Sequence, residues 1–145
     1  MKKIICLSVV LLLLVGVTCA MAADKKTPLT KANQATLKGK WAGTCNFGSG
    51  QSAGMTLEIT NDAPPYAGTI EFVNVPAAVA QYLGNFSNAT TVTGPFDTGM
   101  ITTKGTLIIT GKGGNFGEFD LMGTSKLNGW FFLWGGRGDA TLTKK

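Results

Sequence analysis

Leu37, Gly39, Trp41, Gly43 and Cys45 alternate with Lys38, Lys40, Ala42, Thr44 and Asn46. A period of two is the mark of a strand with one face turned inward. Met55, Leu57 and Ile59 repeat the pattern against Thr56, Glu58 and Thr60, and Tyr66, Gly68, Ile70 and Phe72 repeat it against Thr69 and Glu71. Gly48-Ser49-Gly50 turns the chain between the first two segments. Asn61-Asp62-Ala63-Pro64-Pro65 turns it before the third, because Asn and Asp bond their own backbone and Pro fixes φ. The three segments predict an antiparallel meander.

Six more strands are expected, at about 89–93, 99–103, 106–110, 115–122, 127–134 and 139–143. Lys104-Gly105, 111–114, Thr124-Ser125 and 135–138 are short enough to close hairpins. Between the third and fourth strands, Pro76 to Leu83 can make two turns of helix, with Pro76 in the first turn and Gly84 ending it. A lid or a plain long loop would fit there equally. About eight or nine short strands in simple order would leave two edges exposed unless the sheet closed. The expected fold is therefore all-β, an up-and-down antiparallel barrel. A two-sheet sandwich is the alternative.

The N-terminus follows a different pattern. Lys2 and Lys3 precede an apolar run from Ile4 to Val17, followed by Ala20-Met21-Ala22 and then charge at Asp24-Lys25-Lys26. This is the form of a signal peptide cleaved after Ala22. The run falls short of the roughly twenty residues a membrane-spanning helix needs, so no transmembrane segment is expected after cleavage. Cys19 offers the alternative of a lipid anchor, although Thr18 stands where such sites favour Gly, Ala or Ser. Residues 23–36, polar and without period, read as a flexible lysine-rich leader, and residues 37–145 as a single barrel domain.

Cleavage changes the composition that matters. Two of the three cysteines leave with the leader sequence, so Cys45 has no partner within the chain and is expected to pack as a small apolar residue. The formal charge of +5 for the whole chain also misleads. Five lysines (Lys25, Lys26, Lys31, Lys38, Lys40) precede Trp41, and from Trp41 onward six basic residues face seven acidic ones. With the basicity assigned to the arm, the body offers no basic face, and nucleic acid is not an expected partner.

No histidine occurs anywhere in the chain, which removes the Ser-His-Asp and Cys-His nucleophile systems and any histidine metal site. Glu58, Glu71, Glu118 and Asp120 fall at outward strand positions, where carboxylates are solvated rather than paired for glycosidic chemistry. The glycine runs lead into strands, whereas a phosphate cradle needs a helix N-terminus. No enzymatic activity, cofactor or metal is therefore expected. Arg137-Gly138-Asp139 spells the integrin tripeptide but reads as a turn. Asn85-Phe86-Ser87 and Asn88-Ala89-Thr90 fit the glycosylation pattern, which matters only in a eukaryotic secretory pathway.

One strand asks for explanation. Leu127, Gly129, Phe131 and Leu133 share one face of the segment to Trp134, and Trp130, Phe132 and Trp134 share the other. A wet face should not carry three large aromatics. That face packs in an oligomer interface, lines the barrel and touches a ligand, or lies under a covering segment such as 76–83.

Leu37-Lys38-Gly39-Lys40-Trp41 resembles the opening of the calycins, the barrel superfamily of lipocalins and avidins, which begin their first strand with Gly-x-Trp. The resemblance implies that Trp41 plugs one end of the barrel. It does not extend to biotin, because Gly43 and Phe47 stand where avidins hold it with Asn and Ser. The expected function is that of an exported, non-enzymatic binding protein for a small apolar or amphipathic ligand, working as a homo-oligomer. Trp41, Tyr66, Trp130, Phe132 and Trp134 are its candidate contact residues. The alternative is a protein-interaction module, an inhibitor or an envelope assembly component, that uses the aromatic face of 127–134. The intact mass of the exported chain tests the leader reading: it should match residues 23–145 without modification, whereas a chain beginning at Cys19 with added lipid mass would establish the anchored form.

Overall fold

A computed structural model describes residues 24–80, 90–111, 115–133 and 136–145. Eight strands follow one another around a closed antiparallel barrel: β1 (Gly39–Asn46), β2 (Ser52–Ile59), β3 (Tyr66–Val73), β4 (Thr91–Ile101), β5 (Leu107–Thr110), β6 (Phe116–Met122), β7 (Lys126–Leu133) and β8 (Gly136–Lys144). Closure comes from β1 against β8, in register from Trp41 opposite Lys144 to Asn46 opposite Asp139. Every strand thereby has two neighbours, which removes the free edges that invite aggregation. The barrel and its up-and-down order are as the alternation predicts, and the sandwich is ruled out.

The expected strands at 89–93 and 99–103 are one strand, β4. Residue pairing with β3 runs from Val73 opposite Thr91 to Tyr66 opposite Gly99, with the register shifting between Tyr66 and Gly68. Across that shift Phe96 and Gly99 are buried and the two residues between them, Asp97 and Thr98, are both exposed. A bulge of this kind inserts an extra residue and breaks the period of two, so a continuous strand looks interrupted in the sequence.

The interior is filled by side chains. Trp41, Leu57, Tyr66, Leu107, Ile109, Phe119, Leu127 and Leu142 are wholly buried, with Met55, Ile59, Leu121 and Phe131 nearly so. An eight-stranded barrel is just wide enough inside for such a filling. Small residues on the same inward faces make room for the large ones. At Gly129 an added Cβ would lie 1.9 Å from the Glu118 carbonyl oxygen and 2.8 Å from the Cα of Phe119, so the β6–β7 contact is set by the absence of a side chain.

Residues 24–36 correct the expectation of a flexible leader. The Thr27 amide donates to the Leu121 carbonyl at 2.7 Å, the Leu29 amide to the Gly105 carbonyl at 2.9 Å, and the Gly123 amide to the Lys25 carbonyl at 3.1 Å. Leu29 is buried in the core. The segment crosses the end of the barrel as a strap and enters a 3-10 helix at Gln34–Leu37. Polar sequence without period was a poor guide here, because one buried leucine and three backbone hydrogen bonds hold the segment. Its polar residues point outward.

At the other end, the expected helix appears as α1 (Ala77–Ala80), with Val79 and Ala80 buried. Its predicted continuation to Leu83 and both glycosylation patterns lie outside the described residues. Gly129→Ala should destabilise the protein by more than 3 kcal/mol, the scale of a severe core change. Exposed Ala78→Gly should cost about 1 kcal/mol or less. Urea unfolding of the two variants measures the difference.

Candidate functional site

The candidate residues divide between two places. Trp41 and Tyr66 lie inside, at the strap end of the barrel. The Trp41 indole Nε1–H donates to the Leu37 carbonyl at 2.7 Å, and the Tyr66 hydroxyl donates to the Gln34 carbonyl at 3.2 Å. The Lys144 ammonium donates to the Thr36 carbonyl and stands 5.3 Å from the centre of the Trp41 ring. The Lys38 amide takes the remaining helix carbonyl, that of Ala35, at 3.2 Å. All four carbonyls of the 3-10 helix are thus occupied. Trp41 and Tyr66 are wholly buried and hold a plug in place. They present no surface to a ligand.

Trp130 and Phe132 face outward from β7, opposite in direction to Leu127 and Phe131, which are buried. They do not line the barrel interior. In register, Phe116 of β6 stands opposite Phe132 and Glu118 opposite Trp130, while Arg137 and Asp139 of β8 stand opposite Phe132 and Trp130. The Phe116 and Trp130 rings meet at 5.2 Å with a tilt of 58°, in the range favoured by aromatic pairs. The Arg137 guanidinium lies 4.7 Å from the Trp130 ring centre, a cation–π contact. Phe132 remains 43% exposed. Trp134 lies outside the described residues.

Phe116 and Arg137 were missed as candidates by the sequence reading. Phe116 opens its strand on the same face as Glu118 and Asp120, the face that the alternation assigns to solvated carboxylates. Arg137 was assigned with Gly138 and Asp139 to a turn. The three are instead part of β8: Gly138 is buried against Cys45, and the side chains of Arg137 and Asp139 project together and pair at 3.4 Å. A cross-strand pairing brought these residues to Trp130, and only the register could have revealed it.

Cys45 is wholly buried and free. Burial, with a smaller contribution from Asp139, pushes its pKa from 9.0 up to about 12, so it is a neutral thiol and not a nucleophile at neutral pH. Burial, and secondarily Asp62, pushes Tyr66 from 10.0 up to about 12. Among the described residues no three His, Cys, Asp or Glu side chains converge to hold a metal.

Charge is the third feature of the surface, and here the structure corrects the expectation of a body without a basic face. Lys25, Lys26 and Lys31 lie on the strap, Lys38 and Lys40 at the start of β1, Lys104 in the β4–β5 turn, Lys126 at the start of β7, and Lys144 and Lys145 at the end of β8. These are all the lysines among the described residues, and they share one end of the barrel. Lys26 pairs with Asp120 at 2.7 Å and Lys126 with Asp24 at 3.2 Å.

In comparisons with known proteins, no protein-family model, no curated protein and no solved structure matches this chain.

Both raised pKa values are above those of the unfolded chain, so their stabilisation is complete below about pH 9 and is lost as pH rises toward 12, where the unfolded chain releases protons first. Urea midpoints should be level from pH 7 to 8.5 and fall above pH 9. At pH 8 a thiol reagent should label Cys45 only after denaturation.

Proposed function

We propose that this chain is an exported, non-enzymatic binding protein, calycin-like in form, that assembles through the outer aromatic face of β6, β7 and β8, with a second copy of itself as partner. The observation that carries this reading is the cluster of Phe116, Trp130 and Phe132 on the outside of a barrel whose inside is already occupied by its own side chains. Apolar surface exposed in a contiguous group marks an interaction site, and tryptophan beside arginine is the composition of interface hot spots.

The charges around the cluster favour a second copy. Glu118 stands across from Trp130 on β6, while on the β8 side Asp139 stands opposite Trp130 and its ion-pair partner Arg137 lies over the ring. Glu118 has no ion pair among the described residues. A twofold contact is self-complementary: centred on Trp130, it sets Arg137 of one copy against Glu118 of the other. An apolar ligand held inside the barrel would have to displace packed residues such as Phe119 and Phe131, so the outer face is the better-supported site. The Ile4–Val17 run with Ala20-Met21-Ala22 supports export, and the buried Trp41 after Gly39-Lys40 supports the calycin resemblance.

Sedimentation equilibrium of the exported protein should return a multiple of the single-chain mass. Trp130→Ala or Phe132→Ala should each weaken association by about 2 kcal/mol, as hot-spot truncations do, with little change in thermal midpoint. A wild-type protein that sediments as a single chain at high concentration would overturn the proposal.

A further inference from the structure

The lysine end of the barrel carries nine lysines on strap, turns and strand ends, against Asp24, Glu58, Asp62 and Asp120. Away from it the described residues offer one cation, Arg137, against Glu71, Asp97, Glu118 and Asp139. The folded chain is therefore polarised along the barrel axis. Lys25, Lys31, Lys38, Lys40, Lys104 and Lys145 are exposed and make no ion pair among the described residues. Like charges gathered at one end repel one another, and an anionic surface relieves that repulsion.

We propose that this end docks on an anionic bilayer surface, with phospholipid headgroup phosphates as the counter-charge. Two observations select a membrane. First, the cations at this end are, among the described residues, all lysines, hydrated point charges suited to a plane of diffuse negative charge; the forked guanidinium that grips single phosphates is missing. Second, the two aromatic side chains nearest this end, Trp41 and Tyr66, are buried, so no exposed ring stands among the lysines for the bases of a single strand to stack on. This inference is independent of the aromatic face, which involves β6–β8 and its own variants.

Flotation of the exported protein with vesicles tests it. In 0.1 M NaCl the protein should bind phosphatidylcholine vesicles containing 30% phosphatidylglycerol and should not bind vesicles of phosphatidylcholine alone. Binding should vanish in 0.5 M NaCl, where charges are screened within a few ångströms. The exposed triple variant Lys31→Gln, Lys38→Gln, Lys104→Gln should keep its thermal midpoint and lose affinity about 100-fold, near fivefold per lysine. Equal binding to both vesicle types, no binding to the anionic ones, or an unchanged triple variant would overturn the proposal. So would retention of double-stranded DNA at the same salt without vesicle binding.

Discussion

The carbonyl groups of one turn of 3-10 helix at Gln34–Leu37 are the constraint around which the strap end of the barrel is organised. A short helix ends with carbonyls that have no partner of their own, and burying them unpaired would cost 1–3 kcal/mol each. Here each has a donor from a different part of the chain. Tyr66 comes from β3, Lys144 from β8, Trp41 from β1, and the Lys38 amide from the next residues along. The strands that supply side chains include the two that close the barrel. The same set of hydrogen bonds therefore ties together the closing strands, the buried tryptophan and the strap.

This plug explains the split among the aromatic residues. Trp41 and Tyr66 have polar atoms that must be satisfied when the rings are buried, and the plug satisfies them. Trp130 keeps its ring on the outer surface, where an arginine lies across it and Phe116 packs beside it. Chemically similar residues thus have opposed uses, one group closing the fold and the other leaving an unfinished surface. The packed interior reinforces the division, because a barrel this narrow spends its inner volume on its own side chains.

The strap also redistributes charge. A lysine-rich arm moving freely in solution would be a diffuse cation cloud beside a neutral body. Bound across the barrel end by Thr27, Leu29 and the Lys26–Asp120 pair, it joins Lys104, Lys126, Lys144 and Lys145 in a single positive surface. Exposed ion pairs such as Lys26–Asp120 contribute little to stability individually. Leu29 in the core and the backbone bonds to Gly105 and Leu121 do more to hold the arm down.

The alternation of Leu37 to Cys45, Met55 to Ile59 and Tyr66 to Phe72 determined by itself that the fold is built of strands. The turn residues and the number of strands made a closed barrel the economical outcome. Those signals are local, set by which face of a pleat is apolar and by which residues tolerate a turn. The buried state of Cys45 also follows from the period of two, which put Trp130 and Phe132 on one face of their strand but left open which way that face points. Burial of Leu127 and Phe131 on the opposite face decides that it points outward. What the tertiary structure decided was everything that depends on two distant segments meeting. The β4 bulge hid its own strand because an extra residue reverses the inside–outside order. The strap was unreadable because its anchors, Leu121, Gly105 and Gly123, lie about eighty to a hundred residues away in the chain. Phe116 and Arg137 came to Trp130 through the β6–β7–β8 register, and the lysines came to one end because a closed barrel of antiparallel strands returns the chain there after every second strand.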